Sequence, residues 1–279
     1  MTIKIVTDST CDLPAELVNE NSISVIPMYI NFGEQGYQDG IEITRQEFYQ
    51  NLPISESFPT TAAPGVDSFK AAYTRLAEEG AEEILSIHVS ASLSAVMDVA
   101  QTAAKEFKEI PVTVYDSNQL SLGTGYQVLA AAQSATEGLA MEDILAMVEN
   151  QSSRTHVFAA LDTLEYLKRS GRMNAFMANL GSILRVKPIL TMHNGTPGAE
   201  RVRTKERSIN RLIELVSDLG PLEEVALVHT NSPNEAEALW QKAKHLFPHQ
   251  ENPLSVDVTP VLGAHLGPGA IGFTCITKE

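Results

Sequence analysis

Positive charge, cysteine and tryptophan are all scarce in this sequence. Twenty Lys and Arg stand against 35 Asp and Glu, a formal net charge of -15. A surface of that sign argues against nonspecific binding to nucleic acid or to an anionic membrane. The two cysteines, Cys11 and Cys275, lie at opposite ends of the chain and form no metal pattern. They read as free buried thiols of a reducing compartment, and no metal site is expected. No run approaches the ~18 apolar residues of a membrane span, and the first residues enter a strand without a basic-then-apolar leader. The expectation is a cytoplasmic protein with no stable membrane insertion. Repeats and low-complexity tracts are missing, as are the Gly-Lys-Ser/Thr of a phosphate loop and the spacing of a dinucleotide fingerprint. A nucleotide cofactor is therefore not indicated.

What is present is enough apolar residue for a sizeable core, 43% of 279 positions. The first part alternates strands, polar turns and helices. Residues 3–7 form a β-rich run ending in Asp8-Ser9-Thr10, and Pro14 opens a short helix. A strand follows at 22–31, and Thr44 to Glu47 has capping-box spacing. Pro59-Thr60-Thr61-Ala62-Ala63-Pro64 holds two hydroxyls between prolines before a helix to about 79. Strand 84–89 runs into Ser90-Ala91-Ser92-Leu93-Ser94-Ala95 and a helix to about 107. Strand 112–115 ends in Asp116-Ser117, and helices cover about 122–136 and 141–151. Strands ending in Asp/Ser-rich turns before helices predict a parallel, doubly wound α/β sheet, with ligands gathering at the strands' carboxyl ends. Asp8 and Ser9 are read as lining such a site.

The second part changes character. It offers strand 155–160, a short helix 163–169, an apolar helix 175–184 and a strand 186–192 that Pro188 marks as an edge or bulge. Asn194-Gly195 signals a hairpin. Helices at 206–219 and 234–247 and strands at 225–230, 255–258 and 271–277 complete it. The division predicted is a 1–154 α/β domain and a smaller 155–279 α+β domain.

Residues 261–270 place one titratable side chain, His265, among glycines and Pro268. Glycine frees the backbone and Pro268 biases its neighbour to extended geometry, which predicts a shaped loop rather than a helix. Between Tyr166 and Arg211, ten Lys/Arg face two acids, a net of +8 in this acidic chain. Such a concentration points to an anionic ligand, an acidic partner or pairing within the chain. Arg201, Arg203 and Lys205 alternate with Val202 and Thr204, so one extended segment would point all three to one side. They are the candidates for partner docking, whereas Arg207 and Arg211 suit intramolecular pairing.

The ordered set of motifs resembles the DegV family. It comprises Thr7-Asp8-Ser9-Thr10-Cys11-Asp12-Leu13-Pro14, the Thr-Thr…Pro segment, Leu93-Ser94 and Asp116-Ser117. Leu164 to Arg172, Val186-Lys187-Pro188-Ile189-Leu190, Val202-Arg203-Thr204 and His265-Leu266-Gly267-Pro268-Gly269 complete it. The resemblance implies a two-domain DegV-like fold with an acyl chain buried along and between the domains. It implies a bacterial protein that binds a long-chain fatty acid and needs no other cofactor. In the best understood members, a separate ATP-binding fatty acid kinase subunit phosphorylates the acid, and the acyl phosphate enters phospholipid synthesis. On this reading the chain is a lipid-binding subunit and not itself an enzyme. It departs from the family at Ala62-Ala63, where Ser-Gln is usual, and at Ala95-Val96, where Gly-Thr or Gly-Ser is usual.

The chemistry of such a ligand stands by itself. A buried carboxylate needs several convergent donors. Thr61, Ser94, the backbone N–H of Ala95 and His265 are the candidates. Arg172, Thr60, Asp8, Ser9 and Asp116 are read as supporting them or phosphoryl transfer. The apolar segments 126–132 and 175–184 are candidate tunnel walls. Two competitors remain open. One is a serine hydrolase built from Ser94, His265 and Asp8 or Asp116, although Ser94 lacks a Gly-x-Ser-x-Gly elbow. The other is a lipid-sensing regulatory protein with no kinase partner.

Overall fold

The computed structural model describes residues 2–177 and 187–279. Among them, strands β1 (Ile3–Asp8), β2 (Ser24–Ile26), β3 (Tyr29–Phe32), β4 (Gln35–Gln38), β5 (Thr60–Ala62), β6 (Glu83–His88) and β7 (Val112–Asp116) occupy the first part. The second part holds β8 (Thr155–Ala160), β9 (Lys187–His193), β10 (Thr196–Val202), β11 (Leu222–His229), β12 (Leu254–Asp257) and β13 (Ile271–Thr277).

The predicted parallel sheet is present, in the order β2-β1-β6-β7. The period of two sends Ile3 and Ile5 to one face and Val6 to the other. Val6 and Ile84 join Phe69, Tyr73 and Ala100 beneath the helices Val66–Glu78 and Val96–Glu106. Ile3, Ile5, Leu85 and Ile87 meet Val128, Ala131 and Ile144 of the helices Leu122–Thr136 and Met141–Arg154. The sheet is therefore wound on both faces. Val128, Ala131 and Ala132 belong to this core and are not among the residues that border the cavity described below.

A second sheet runs β10-β9-β8-β13-β11-β12, antiparallel except between β11 and β12. Helices Lys205–Asp218 and Pro233–Ala243 cover one face through Leu212, Val216, Leu239 and Trp240. The hairpin signal is met: Asn194 and Gly195 both have positive φ, 47° and 70°. The reading of Pro188 as an edge is not. β9 is paired on both sides, and Pro188 is tolerated as its second residue, where its carbonyl accepts from the Leu161 N–H. Most of the apolar helix expected at 175–184 lies outside the described residues; a short helix, Met173–Met177, precedes them.

The expectation of a loop around His265 is also corrected. Residues Pro260–Leu266 form a helix, with His265 in its last turn. Pro260 at its start is preorganised for a helix. Gly263 is there for proximity and not for a turn. A Cβ at that position would lie 2.5 Å from the Tyr49 hydroxyl and 2.9 Å from the Phe48 ring. Val261 and Ala264 share one core with Phe48, Tyr49 and Ile30. The C-terminal part thus inserts this helix against the small antiparallel sheet β4-β3-β5 of the first part.

Candidate functional site

The serine turn after β6 is held from below. Asp116, at the end of β7, accepts from the Ala91 N–H at 3.2 Å and the Asn118 N–H at 2.8 Å. The Ser90 N–H donates to the Gln119 carbonyl at 2.8 Å, and the Ser94 N–H donates back to the Ser90 carbonyl. Ser94 Oγ accepts from the Val96 N–H at 3.3 Å, the first amide of the helix Val96–Glu106. Its own O–H remains as a donor at a positive helix end.

Thr61 reaches the same place from β5. Strand alternation turns Thr61 inward and leaves Thr60 exposed on the other face, so Thr60 does not support the site as expected. Thr61 Oγ1 lies 3.1 Å from His265 Nε2. Burial, with the Arg172 charge nearby, lowers the His265 pKa to about 4, so the imidazole is neutral at physiological pH. Its Nδ1 is buried and has no hydrogen-bond partner among the described residues.

Arg172 follows the helix Glu165–Arg169 and the left-handed Gly171. Its Nε donates to the Leu93 carbonyl at 3.0 Å and its Nη1 to the Ser170 carbonyl at 3.4 Å. These bonds fix the guanidinium beside the serine turn and leave further N–H donors over. Expected behind the site, Arg172 instead lines it directly.

Together these residues border a narrow cavity, with about 560 Å³ of atom-free space when the adjoining open solvent is included. Leu93, Leu120, Leu167, Phe176, Leu262 and Leu266 supply much of the apolar wall, and Thr10, Thr61, Ser94 and His265 the neutral polar groups. Arg172 is the charged lining side chain among the described residues. An apolar hollow with a few convergent polar groups is the form of a small-molecule site.

Other expected members stand elsewhere. Ala95 is the exposed N-cap residue of its helix, beside the cavity lining and not part of it. Asp8 and Ser9 do not line the cavity; Thr10 between them and the helix does. Asp8 accepts from the Thr10 N–H and hydroxyl and the Val89 N–H, and contacts His88 Nδ1 at 3.0 Å. His88 in turn contacts Ser86 Oγ at 2.7 Å. Burial alone would raise the Asp8 carboxyl, but the His88 hydrogen bond and charge and the other donors outweigh it, so its pKa falls below the usual range. Ser9 turns away and donates to Asp39 Oδ2 at 2.6 Å. With Asp8 committed to His88, and no partner on His265 Nδ1 among the described residues, the hydrolase alternative finds no orienting carboxylate there.

Sequence reasoning missed Asp12 as a positioning group. Its buried carboxylate accepts from the Ser121 hydroxyl and, at 2.8 Å, from the Thr259 N–H. Thr259 is the N-cap residue of the His265 helix, so the first turn of the chain pins the start of that helix. Burial, partly offset by the charge of Arg45, pushes the Asp12 carboxyl up to about 6.

A family model described as an uncharacterised protein of the DegV family matches residues 2–278. The chain belongs to the DegV family. A DegV domain-containing protein of Streptomyces coelicolor is 35% identical over 279 residues, 99% of each chain. Among solved structures, a fatty-acid-binding DegV family protein from Thermus thermophilus is 33% identical with a TM-score of 0.89, covering 100% of both chains. DegV from Bacillus subtilis, described as a fatty acid binding protein, is 31% identical with a TM-score of 0.91, covering 99% of this chain and 100% of its own. The α/β architecture above is therefore the DegV fold.

The uneven positive charge resolves in part into internal pairs. Arg211 makes two bonds to Glu200, and Lys187 and Arg169 pair with Asp162 and Glu165. Arg201, Arg203 and Lys205 are exposed, but they do not share one strand face. β10 stops at Val202, and Lys205 already opens the next helix behind its cap Thr204. Arg185 lies outside the described residues.

Proposed function

We propose that this chain binds a long-chain fatty acid non-covalently and presents its carboxylate to a separate ATP-dependent kinase subunit. The observation that carries the binding half is Arg172 set among Thr61, Ser94 and His265 in a cavity whose remaining lining, Thr10 apart, is apolar. A buried carboxylate needs a charge partner and hydroxyl donors, and both are provided at the cavity wall. Thr61 and Ser94 donate to the carboxylate, Arg172 balances its charge, and neutral His265 fixes the Thr61 hydroxyl. The alkyl chain contributes about 0.8 kcal/mol per buried CH₂ against the apolar wall. Fatty-acid binding by related DegV structures of 33% and 31% identity supports the same ligand class here.

The presentation half follows from chemistry. In acyl-phosphate formation a carboxylate oxygen attacks the γ-phosphorus of ATP, the bond to the bridging oxygen breaks, and ADP leaves. This sequence carries no phosphate loop, so ATP belongs to the partner. Arg172 would also stabilise the negative charge gathered around the transferring phosphoryl group. The exposed cations Arg203 and Lys205, near Arg201, offer a surface for an acidic partner.

The test is titration of delipidated protein with oleate while following thermal unfolding. Saturating oleate is expected to raise the melting temperature, because a ligand at a hundred times its Kd stabilises by about 2.7 kcal/mol. An unchanged melting temperature with palmitate, stearate and oleate alike would refute the binding half. For presentation, hydroxylamine trapping after addition of ATP and a cognate kinase subunit should yield acyl hydroxamate. Its absence, with the fatty acid bound, would refute that half alone.

A further inference from the structure

Asp12 is bonded towards two walls of the cavity at once. It ends the turn after β1 in the left-handed conformation, with φ of 57° and ψ of 11°. Its carboxylate is fully buried. One oxygen accepts from the Ser121 hydroxyl and the other, at 2.8 Å, from the Thr259 N–H. The turn is seated closely against the helix Leu122–Thr136. A Cβ at Gly125 of that helix would lie 2.4 Å from the Cys11 carbonyl oxygen.

Each bond leads to the site by a short path. Leu120, beside Ser121, borders the cavity, and the Gln119 carbonyl before it accepts from the Ser90 N–H of the serine turn. Thr259 is the N-cap residue of the helix whose Val261, Leu262, His265 and Leu266 border the same cavity. Ser94 and His265 are thus tied to one carboxylate by two separate routes.

Ser121 depends on this hold. Its φ of 52° and ψ of -142° suit glycine and burden a residue with a Cβ. Such a conformation persists only where the surroundings over-determine it, and here the hydroxyl is bound to a buried carboxylate. Asp12 keeps its acceptor oxygens near neutral pH. Burial pushes Asp39 up to about 7 against the Ser9 hydrogen bond, with the Asp12 charge adding to the rise. Asp12 stands at about 6, helped by Arg45 at 4.0 Å, so Asp39 takes the first proton.

We infer that Asp12 is a positioning residue of the fatty-acid site. Through Ser121 and Thr259 it fixes the spacing between the serine turn with Leu120 and the helix of His265. This role presupposes the fatty-acid reading above, although Asp12 itself does not border the cavity.

Displacement of a fluorescent fatty acid by oleate, on four variants of the full chain, tests this. Asp12→Gly keeps the left-handed backbone without the carboxylate, and should weaken oleate about tenfold. Asp12→Asn also suits that backbone, and offers an oxygen to Thr259 and an N–H to Ser121. It should restore affinity to within about threefold of the parent. Ser121→Ala loses the hydroxyl but keeps the Cβ, and should weaken oleate about tenfold, whereas Ser121→Gly needs no hold and should stay near the parent. Parent affinity in folded Asp12→Gly, or equal loss in Asp12→Asn and Asp12→Gly, would overturn the inference. Should Asp12→Gly fail to fold, the Ser121 pair decides the same point, since equal affinities for Ala and Gly there remove the hold. A readout without ligand separates this from the fatty-acid reading. The NMR midpoint of His265, about 4 in the parent, should rise to about 5 or above in Ser121→Ala as the imidazole regains water, and stay put in Asp12→Asn. A parent chain that takes up no oleate fails the fatty-acid reading, while an unmoved His265 midpoint in Ser121→Ala fails this one.

Discussion

Thr61 and His265 stand 204 residues apart in sequence and meet at 3.1 Å, a strand hydroxyl from the first part against an imidazole from the C-terminal helix. Neither has this role by itself. Thr61 is one of two threonines and is selected by strand alternation; His265 is brought in by a helix whose start is pinned at Thr259. Burial at this contact, with the Arg172 charge nearby, gives the site its first expected property, an imidazole without charge.

His265 is expected to titrate near 4, well below the ordinary 6.5. The unfolded chain then binds a proton that the folded chain refuses between about pH 6.5 and 4. Stability from this residue is therefore full above 6.5 and declines as pH falls to 4, by on the order of 3 kcal/mol. Following His265 Cε1 by NMR through the titration measures the pKa. Comparing the parent with His265→Gln isolates its share from the opposite trends of Asp12 and Asp39. A midpoint above 6 would contradict the buried, uncharged imidazole.

Head-group variants should separate charge from hydrogen bonding. Thr61→Val and Ser94→Ala are each expected to weaken fatty-acid binding by about 1–3 kcal/mol. Arg172→Ala should cost more, about 2–5 kcal/mol, because it leaves a carboxylate without its charge partner. Displacement of a fluorescent fatty acid gives all three constants. Equal affinity for Arg172→Ala and the parent would take Arg172 out of the site.

Much of this geometry was legible in the sequence, for local reasons. The strand-turn-helix runs, the Thr44–Glu47 capping box and the Asn194-Gly195 hairpin depend on neighbours in the chain, and the structure contains each of them. Thr61, Ser94, Arg172 and His265 were singled out and do converge. What failed depended on distant partners. Gly263 looked like a loop residue because the Tyr49 hydroxyl that forbids its Cβ is remote in sequence. Thr61 was read as a donor and Thr60 as its support, and the pairing of β5 with β3 that turns Thr60 outward depends on a partner outside the local sequence. Asp12, Asp39 and His88 passed unnoticed because isolated acids and histidines carry no spacing signal.

Gly267 offers a test of how the His265 helix is held. Its φ of 72° and ψ of 172° suit glycine, and a Cβ there would lie 2.2 Å from the Tyr166 ring. Gly267→Ala should destabilise the fold by about 2–4 kcal/mol. Thermal unfolding measures it, and fatty-acid affinity of the folded fraction should fall as His265 shifts. A change within 0.5 kcal/mol, about the range of a neutral surface substitution, would show that the turn tolerates a side chain.

The docking surface makes a kinetic prediction. Arg203→Ala with Lys205→Ala should leave folding and fatty-acid affinity unchanged while slowing phosphorylation by a cognate kinase subunit several-fold at low salt. The difference should shrink as salt screens the encounter. Equal rates for variant and parent across the salt series would remove these cations from the interface.

The central claim is that the Thr61–Ser94–Arg172–His265 cavity holds a fatty-acid carboxylate. Native mass spectrometry of the purified chain tests it most directly. The expected spectrum shows one long-chain fatty acid per chain, released on denaturation and identified in the extract, with Arg172→Ala depleted of it. Parent protein that carries no acyl lipid, and takes up none from added palmitate or oleate, would contradict the account.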